Sequence, residues 1–455
     1  MTTPTKTVNV LTLGCSKNTV DSETLMGLLR KNNIQLADEA DGADAVIINT
    51  CGFIDVAKEE SVNTILQAAA MKRDGRIGNL YVAGCLSQRY MDDLEEEIPE
   101  VDAYFGVTDF TNILRTINPN LKYDLISDRY VPPGTRSAYL KISEGCNNPC
   151  SFCAIPLMRG GHVSRPMEEI LIEANHLAMN GVKELVVVAQ DSTYYGLDIY
   201  GERRLAGLLE KLAQVRGIEW VRLMYAYPSR FPLDILPVIA SQPTICKYID
   251  MPVQHVSDSV LKSMRRGHTR RALRELIGKI REEVPGITLR TTLIIGYPNE
   301  GEAEFQELLD FVAETEFDRL GVFAYSQEEN TTAHPLNDPI PAEIKQERID
   351  RVMQLQREIS AKKHEGLVGK REKVFVESVA EGEYICRSER DAPEVDGEVY
   401  VTSNFPLQPG DFVEVEYTGA MDYDLFAESV GDGPIAGASA ATPTHALNLS
   451  LPVIQ

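Results

Sequence analysis

Residues 137–160 read SAYLKISEGCNNPCSFCAIPLMRG, a strand-like run followed by a loop carrying Cys146, Cys150 and Cys153 at C-x3-C-x2-C spacing. SAYLKIS reads as a strand. Gly145 and the run Asn147, Asn148, Pro149 supply turn chemistry that lets three thiols share one short loop. Such thiols can converge on a metal centre. Zinc would need a fourth ligand, for which His162 is the nearest candidate, and the spacing departs from the paired C-x2-C of a zinc ribbon. A four-iron cubane takes one thiolate per iron, so three cysteines leave one iron open to a substrate or cofactor.

Outward from this loop the strand pattern repeats. KELVVVAQD (183–191), EWVRLMYAY (219–227), KYIDMP (247–252), TLRTTLIIG (288–296) and DRLGVFAYS (318–326) are strand-like, and stretches such as MEEILIEANHLAMN (167–180) and EAEFQELLDFVAET (302–315) are helical. Six strand-helix units over residues 132–368, after the linker VPPGT (131–135), predict a partial (β/α)6 TIM-like barrel with an open side. Its last element is the charged amphipathic helix 342–365. Over residues 6–125, VNVLTLG, ADAVIINT and NLYVAG alternate with SETLMGLLRK and KEESVNTILQAAAMK, as in a doubly wound parallel sheet. Residues 369–432 switch to short runs, KVFVESV, EYICRSE, GEVYVTS and DFVEVEYTGA, which predict a small antiparallel β-barrel of about five strands. Residues 433–455 read as a mobile tail. The chain is thus α/β with an all-β terminal unit.

With 455 residues, 43% of them hydrophobic and 25% charged, there is enough apolar material for two or three packed domains. The formal charge of −23 argues against a protein that grips nucleic acid mainly by neutralising phosphates and favours a basic partner. MTTPTKTVNVLTLGC has no apolar run of signal-peptide or membrane-spanning length, and eight cysteines without a leader suggest a reducing, cytoplasmic setting with no membrane partner.

Three more cysteines share a position. Cys15, Cys51 and Cys85 each follow a strand of the first unit, and carboxyl ends of parallel strands share one edge. Separate cysteines are often simply small buried hydrophobes, which is the expectation for Cys246 and Cys386. Equivalent strand ends point instead to a second three-thiolate cluster with one open iron.

On the motifs TLGCSKNTVDSE (12–23), INTCGFIDVAKEES (48–61), AGCLSQRY (83–90), EGCNNPCSFCAIPLMRG (144–160) and DMPVQHVSDSVLKSMRRGHT (250–269), residues 6–430 resemble the radical S-adenosylmethionine (SAM) methylthiotransferases. The resemblance implies a terminal domain of the TRAM type and two [4Fe-4S] clusters. One, on Cys146, Cys150 and Cys153, chelates SAM at its open iron and cleaves it reductively to a radical; the auxiliary one, on Cys15, Cys51 and Cys85, holds the sulfur that a second SAM methylates. A reducing electron donor and a sulfur source are implied partners.

Further site residues follow from strand ends. Gln190 and Asp191 lie where the family holds the amino end of SAM, although such residues also cap helices. Gly296 and Pro298 in IIGYP resemble the segment beside the adenosine, or turn the chain. His255, with Gln254 in MPVQH, sits at the catalytic end of the barrel as a substrate contact, proton shuttle or structural histidine. Arg159 and Arg165 can engage a carboxylate through bidentate bonds, or are surface charge.

Two branches of the family differ in acceptor: an isopentenylated adenosine in tRNA, or the β-carbon of an aspartate in ribosomal protein S-twelve. Residues 370–430 hold five Lys or Arg against fifteen Asp or Glu, a net of minus ten. Such a barrel repels RNA and attracts a basic ribosomal protein. LGCSKNTVDSE, TCGFIDVAKEES and KISEGCN also resemble the ribosomal-protein branch. The expected function is methylthiolation of that aspartate, with tRNA modification and a non-catalytic iron-sulfur scaffold as the alternatives.

Overall fold

The computed structural model describes residues 6–117, 129–380 and 382–435; the expected tail lies outside them beyond residue 435. The first unit runs β1 (Thr7–Thr12), α1 (Ser16–Lys31), β2 (Gln35–Leu36), β3 (Ala45–Thr50), α2 (Asp55–Arg73), β4 (Asn79–Gly84), α3 (Cys85–Glu97), β5 (Ala103–Tyr104) and α4 (Phe110–Ile117). Its strands pair in the order β2-β1-β3-β4-β5, all parallel. Strand alternation sends Val46, Ile48, Leu80 and Val82 against Ile65 and Ala69 of α2 and Leu86 of α3, while Val8, Ile47 and Tyr81 meet Leu25 and Leu29 of α1 and Ile113 of α4. Both faces are therefore covered, the doubly wound arrangement. The edge strands β2 and β5 have two residues each, too few to show a period in the sequence.

The second unit contains β6 (Ser137–Lys141), β7 (Ser143–Glu144), α5 (Ile155–Arg159), β8 (Val163–Ser164), α6 (Met167–Met179), β9 (Glu184–Val188), α7 (Leu205–Leu212), β10 (Trp220–Leu223) and α8 (Ile235–Ser241). It continues through β11 (Ile245–Asp250), α9 (Asp258–Ser263), α10 (Arg270–Glu283), β12 (Thr288–Ile295), α11 (Glu302–Thr315), β13 (Arg319–Ala324) and α12 (Ala342–Glu365). Six parallel strands form an open sheet in the order β13-β12-β11-β10-β9-β6. Leu185, Val187, Val221, Leu223, Ile249 and Leu293 face the helices. Their neighbours Val186, Val188, Trp220, Cys246 and Tyr248 line the concave side.

That side is closed at one end by the third unit, a barrel of β14 (Arg371–Ala380), β15 (Glu383–Ser388), β16 (Val399–Thr402), β17 (Phe412–Ala420) and β18 (Leu425–Ser429) in the order β14-β15-β16-β18-β17. The pairing is not wholly antiparallel as expected. The chain crosses from β16 to β17 before β18 fills the gap between them, so β18 runs parallel to β16. Phe375 and Phe412 pack on Trp220 with ring centroids 6.0 and 5.0 Å away. Cys246 lies in this shared core and Cys386 in the core of the barrel itself.

Charge does much of the remaining docking. Glu184 accepts hydrogen bonds from Arg222 Nε at 2.8 Å and from Arg387 of the terminal barrel at 2.5 Å. In the loop after β15, Asp391 pairs with Arg319, Asp396 accepts from Tyr248 at 2.6 Å, and Glu394 accepts from Tyr139 at 2.8 Å. Part of the barrel's acidic excess thus neutralises or bonds the concave face. The net of minus ten is not all free surface charge.

Burial raises the Glu184 carboxyl and Arg387 and Arg222 lower it; the arginines prevail, taking it from 4.5 to about 2. A carboxyl depressed in the folded state adds stability that is complete above its unfolded value, near pH 4.5, and is lost as pH falls toward 2. Glu184→Gln leaves buried Arg222 without its carboxylate and Arg387 with Glu377 alone, and is expected to lower unfolding free energy by about 3 kcal/mol at neutral pH. Urea titrations should show this gap, and it should narrow in acid; equal midpoints at neutral pH would contradict it.

Candidate functional site

Three strand ends of the first unit lie side by side at one edge of its parallel sheet. Gly14 has φ +88°, and a Cβ there would lie 2.6 Å from Cys51 Cβ and 2.9 Å from its Sγ; a Cβ on Gly52 would lie 3.0 Å from the Cys85 backbone. Glycine at these positions lets Cys15, Cys51 and Cys85 draw together. Cys51 and Cys85 are buried and Cys15 is exposed. Burial pushes the Cys85 thiol up to about 11, Arg159 opposes the shift, and Cys15 and Cys51 add to it.

The second trio lies beyond β6. Pairing of β7 with β8 folds the loop back, and the Cys146 N–H donates to the Gly160 carbonyl at 3.1 Å. Asn148 donates its backbone N–H to Cys146 Sγ at 3.4 Å and its side-chain amide to Asp191 at 2.8 Å. The Arg266 guanidinium donates to Cys150 Sγ at 3.2 Å and to the Pro252 carbonyl at 2.5 Å, and stacks 4.3 Å from the Tyr227 ring centroid. Burial pushes Cys146 up to about 11 and Cys153 to about 12. These thiols stay protonated at neutral pH until a metal displaces the proton.

Helix α5 joins the two trios. Ala154, directly after Cys153, and Met158 pack on Cys85. Arg159 at the end of α5 donates to Glu144 at 2.7 Å, Asn18 at 2.5 Å and Asp21 at 3.0 Å. Lys141 pairs with Asp21 and, at 2.7 Å, with Glu144.

Donor chemistry selects among metal centres. Among the described residues no three His, Cys, Asp or Glu side chains close on a point as a single ion requires. His162, the candidate fourth zinc ligand, contacts Ser164 at 3.0 Å through Nε2 and packs at a tilt on Tyr194, with ring centroids 4.8 Å apart. A multi-iron centre suits gathered but spread thiols, because each binds a separate iron. Cations beside each trio, Arg159 and Arg266, suit an anionic cluster.

The other expected residues fall into distinct places. Gln190 donates to Glu144 at 3.1 Å, and its buried Oε1 has no partner. Gln254, at φ +69°, also has an unpartnered buried Oε1. Two orphaned acceptors at the ends of β9 and β11 fit an amine donor such as that of SAM. Asp191 has both oxygens engaged, by Thr193 at 2.9 and 2.6 Å and by Asn148, so it caps a turn and steadies the cysteine loop. Gly296 has φ +80°, a conformation that favours glycine, and a Cβ there would also crowd Lys345 Cγ of α12 at 2.5 Å, with half-buried Pro298 two residues on.

The structure places the three expected substrate contacts among internal partners. His255 is wholly buried, its Nδ1 accepting from Ser257 at 3.0 Å and its Nε2 lying 3.4 Å from Glu300. Arg159 is buried in the junction between the first two units. Arg165 is engaged by the Lys141 carbonyl and by Glu173, both at 2.7 Å. Guanidiniums already bound to internal acceptors are not free for an incoming carboxylate. Arg266, conversely, carries no signal inside DMPVQHVSDSVLKSMRRGHT, because it lies 116 positions from Cys150 in the sequence.

A half-barrel of six parallel strands with three thiols beyond its first strand defines a radical SAM enzyme, and residues 140–312 match the radical SAM superfamily. Residues 7–106 match the uncharacterized protein family UPF0004, and residues 368–430 match the TRAM domain. The chain is 50% identical to ribosomal protein uS12 methylthiotransferase RimO of Christiangramia forsetii, over 92% of this chain and 94% of that one. The protein of the same name from Cytophaga hutchinsonii is 51% identical, over 93% of this chain and 98% of that one, and that of Desulforamulus reducens 47%, over 92% and 99%. This chain belongs to the RimO family of radical SAM methylthiotransferases. An iron-sulfur cluster and SAM are accordingly its cofactors. A solved structure of the radical SAM methyltransferase TsrM from Kitasatospora setae shares the fold, with a TM-score of 0.55 at 13% identity over 84% of this chain and 80% of that one. Among the described residues no helix is long and apolar enough to cross a membrane.

N–H···S hydrogen bonds raise the potential of an iron-sulfur cluster. Arg266→Met, which removes the donor to Cys150, is expected to move the midpoint of the central-unit cluster to more negative values. An electron paramagnetic resonance titration reads this directly, and an unmoved midpoint would reject the assigned contact.

Proposed function

We propose that this enzyme methylthiolates the β-carbon of an aspartate in ribosomal protein uS12, in the cytoplasm, using two [4Fe-4S] clusters and SAM. Cys146, Cys150 and Cys153 would hold the cluster that binds SAM, and Cys15, Cys51 and Cys85 the auxiliary one. When bound, these groups supply one-electron cleavage of SAM, hydrogen abstraction from an unactivated carbon, and a carrier for the transferred sulfur. The observation that carries the reading is two three-thiol sites joined through α5, in a chain half identical to relatives named for uS12 methylthiotransfer.

The chain's own residues arrange and shield this chemistry. Asn148 and Arg266 hold Cys146 and Cys150 by hydrogen bonds to sulfur, so the loop is pre-set. Gln190 and Gln254 present free buried acceptors to the amino group of SAM. Met158 and Ala154 pack beside Cys85 and exclude water between the trios. The terminal barrel seals the opposite end of the concave face, so substrate enters where the thiols lie. Exposed Glu383, Glu414 and Glu428 keep the barrel's outer strands acidic and suited to a basic protein rather than to RNA. A reducing electron donor and a sulfur source complete the partners.

Anaerobic reconstitution tests the assignment. The intact chain should bind about eight irons and each triple-alanine variant about four. The variant lacking Cys146, Cys150 and Cys153 should form no 5′-deoxyadenosine, whereas the variant lacking Cys15, Cys51 and Cys85 should form it without transferring sulfur. Mass analysis of uS12 from cells lacking this protein should show the aspartate unmodified; persistence of the modification would reject the acceptor.

A further inference from the structure

Lys17, Lys141 and Arg159 are among the buried cations where the first unit meets the half-barrel. Lys141 and Arg159 share the carboxylates of Asp21 and Glu144, so two positive charges meet two negative ones. Lys17 is unmatched. Only 6% exposed, it has no carboxylate within ion-pair reach among the described residues, and its ammonium stands 3.1 Å from the Tyr225 ring centroid. A ring quadrupole compensates only part of what it costs to take an ammonium out of water.

Tyr225 itself is strained. It follows β10 at φ +60°, a left-handed conformation rare for a bulky side chain, and is held there by its N–H on Asp250 at 3.2 Å and by Ser192 N–H on its carbonyl at 3.0 Å. Strain maintained by surrounding bonds is characteristic of functional sites. Ser192 adjoins Asp191, which holds Asn148 against Cys146, while Lys17 lies two residues beyond Cys15. The pair is therefore tied to both trios.

We infer that Lys17 receives the side-chain carboxylate of the acceptor aspartate, with Tyr225 as the platform that holds its ammonium beforehand. This deepens the proposed function and rests on its protein acceptor. The aromatic ring positions the ammonium and leaves its N–H donors for the incoming carboxylate. The β-carbon to be modified is bonded directly to that carboxylate carbon; anchoring the carboxylate fixes the reacting carbon beside the two trios. A neutral asparagine supplies no countercharge and is bound weakly.

The test compares reconstituted wild type, Lys17→Met and Lys17→Arg in anisotropy titrations, with SAM present, against a fluorescent peptide spanning the uS12 acceptor and the same peptide with asparagine at the acceptor. Wild type should prefer the aspartate peptide by about 30-fold or more, Lys17→Met should bind the two alike, and Lys17→Arg should recover most of the preference. A wild type that modifies the aspartate peptide while Lys17→Met keeps the full preference overturns this inference alone. A wild type that never modifies the peptide rejects the acceptor, and this inference with it. Iron counting checks that Lys17→Met retains its clusters. Should it lose them, zero-length carbodiimide coupling of wild type to the aspartate peptide decides: an amide mapped to Lys17 supports the inference, and one mapped to another lysine overturns it.

Discussion

Asp21 is the carboxylate on which the arrangement turns. It lies on α1, only 2% exposed, and its partners Lys141 and Arg159 belong to the half-barrel. A buried carboxylate without cations is strongly unfavourable, so Asp21 is satisfied only when the two units are docked. Cys15 opens the same helix and Cys153 closely precedes α5, so the contact that satisfies Asp21 also sets one trio against the other. Two further ionic groups secure the joint: Arg129 between Glu23 and Glu173, and Glu328 taking Arg89 at 2.6 Å and Lys58 at 3.1 Å.

The same economy of charge explains an apparent contradiction in the terminal barrel. Its acidic excess reads from composition as an outward surface for a basic partner, yet Asp391 and Asp396 turn inward to Arg319 and Tyr248. The concave face of a half-barrel carries polar residues that a complete barrel would enclose, and these need partners once covered. An acidic loop supplies them. The outer strands remain acidic through other residues, so docking and partner selection draw on separate parts of one charge excess.

What could be read from the sequence follows the range of the interaction that decides it. The six central strands stand out as largely apolar runs between helical stretches, and the Cys146 loop is gathered by covalent proximity. The trio of Cys15, Cys51 and Cys85 is long-range, but a topological rule about parallel strands brings it together without knowledge of any contact. No such rule reaches β18, whose direction depends on how the barrel closes, or the two-residue strands β2 and β5. Side-chain partners are the least legible. Whether Arg159, Arg165 and His255 face a substrate or the interior depends on residues such as Asp21, Glu173 and Glu300, which no spacing announces. Lys17 and Arg266 stand out only once Tyr225 and Cys150 are seen beside them.

Docking through buried ion pairs, where apolar contact would be simpler, has a physical rationale. Apolar surfaces are non-directional and allow packed helices to settle in neighbouring registers, whereas a guanidinium bound to two carboxylates accepts few geometries. A slip of one helical turn, about 5.4 Å, would separate sites that must act on one substrate carbon. Replacing such networks by hydrophobic residues is often neutral or stabilising, so their contribution here is better sought in position than in stability. Arg159 combines both needs: its ion pairs lock the register between units, and its charge bears on the Cys85 thiol. The joint between the domains is thereby part of the site.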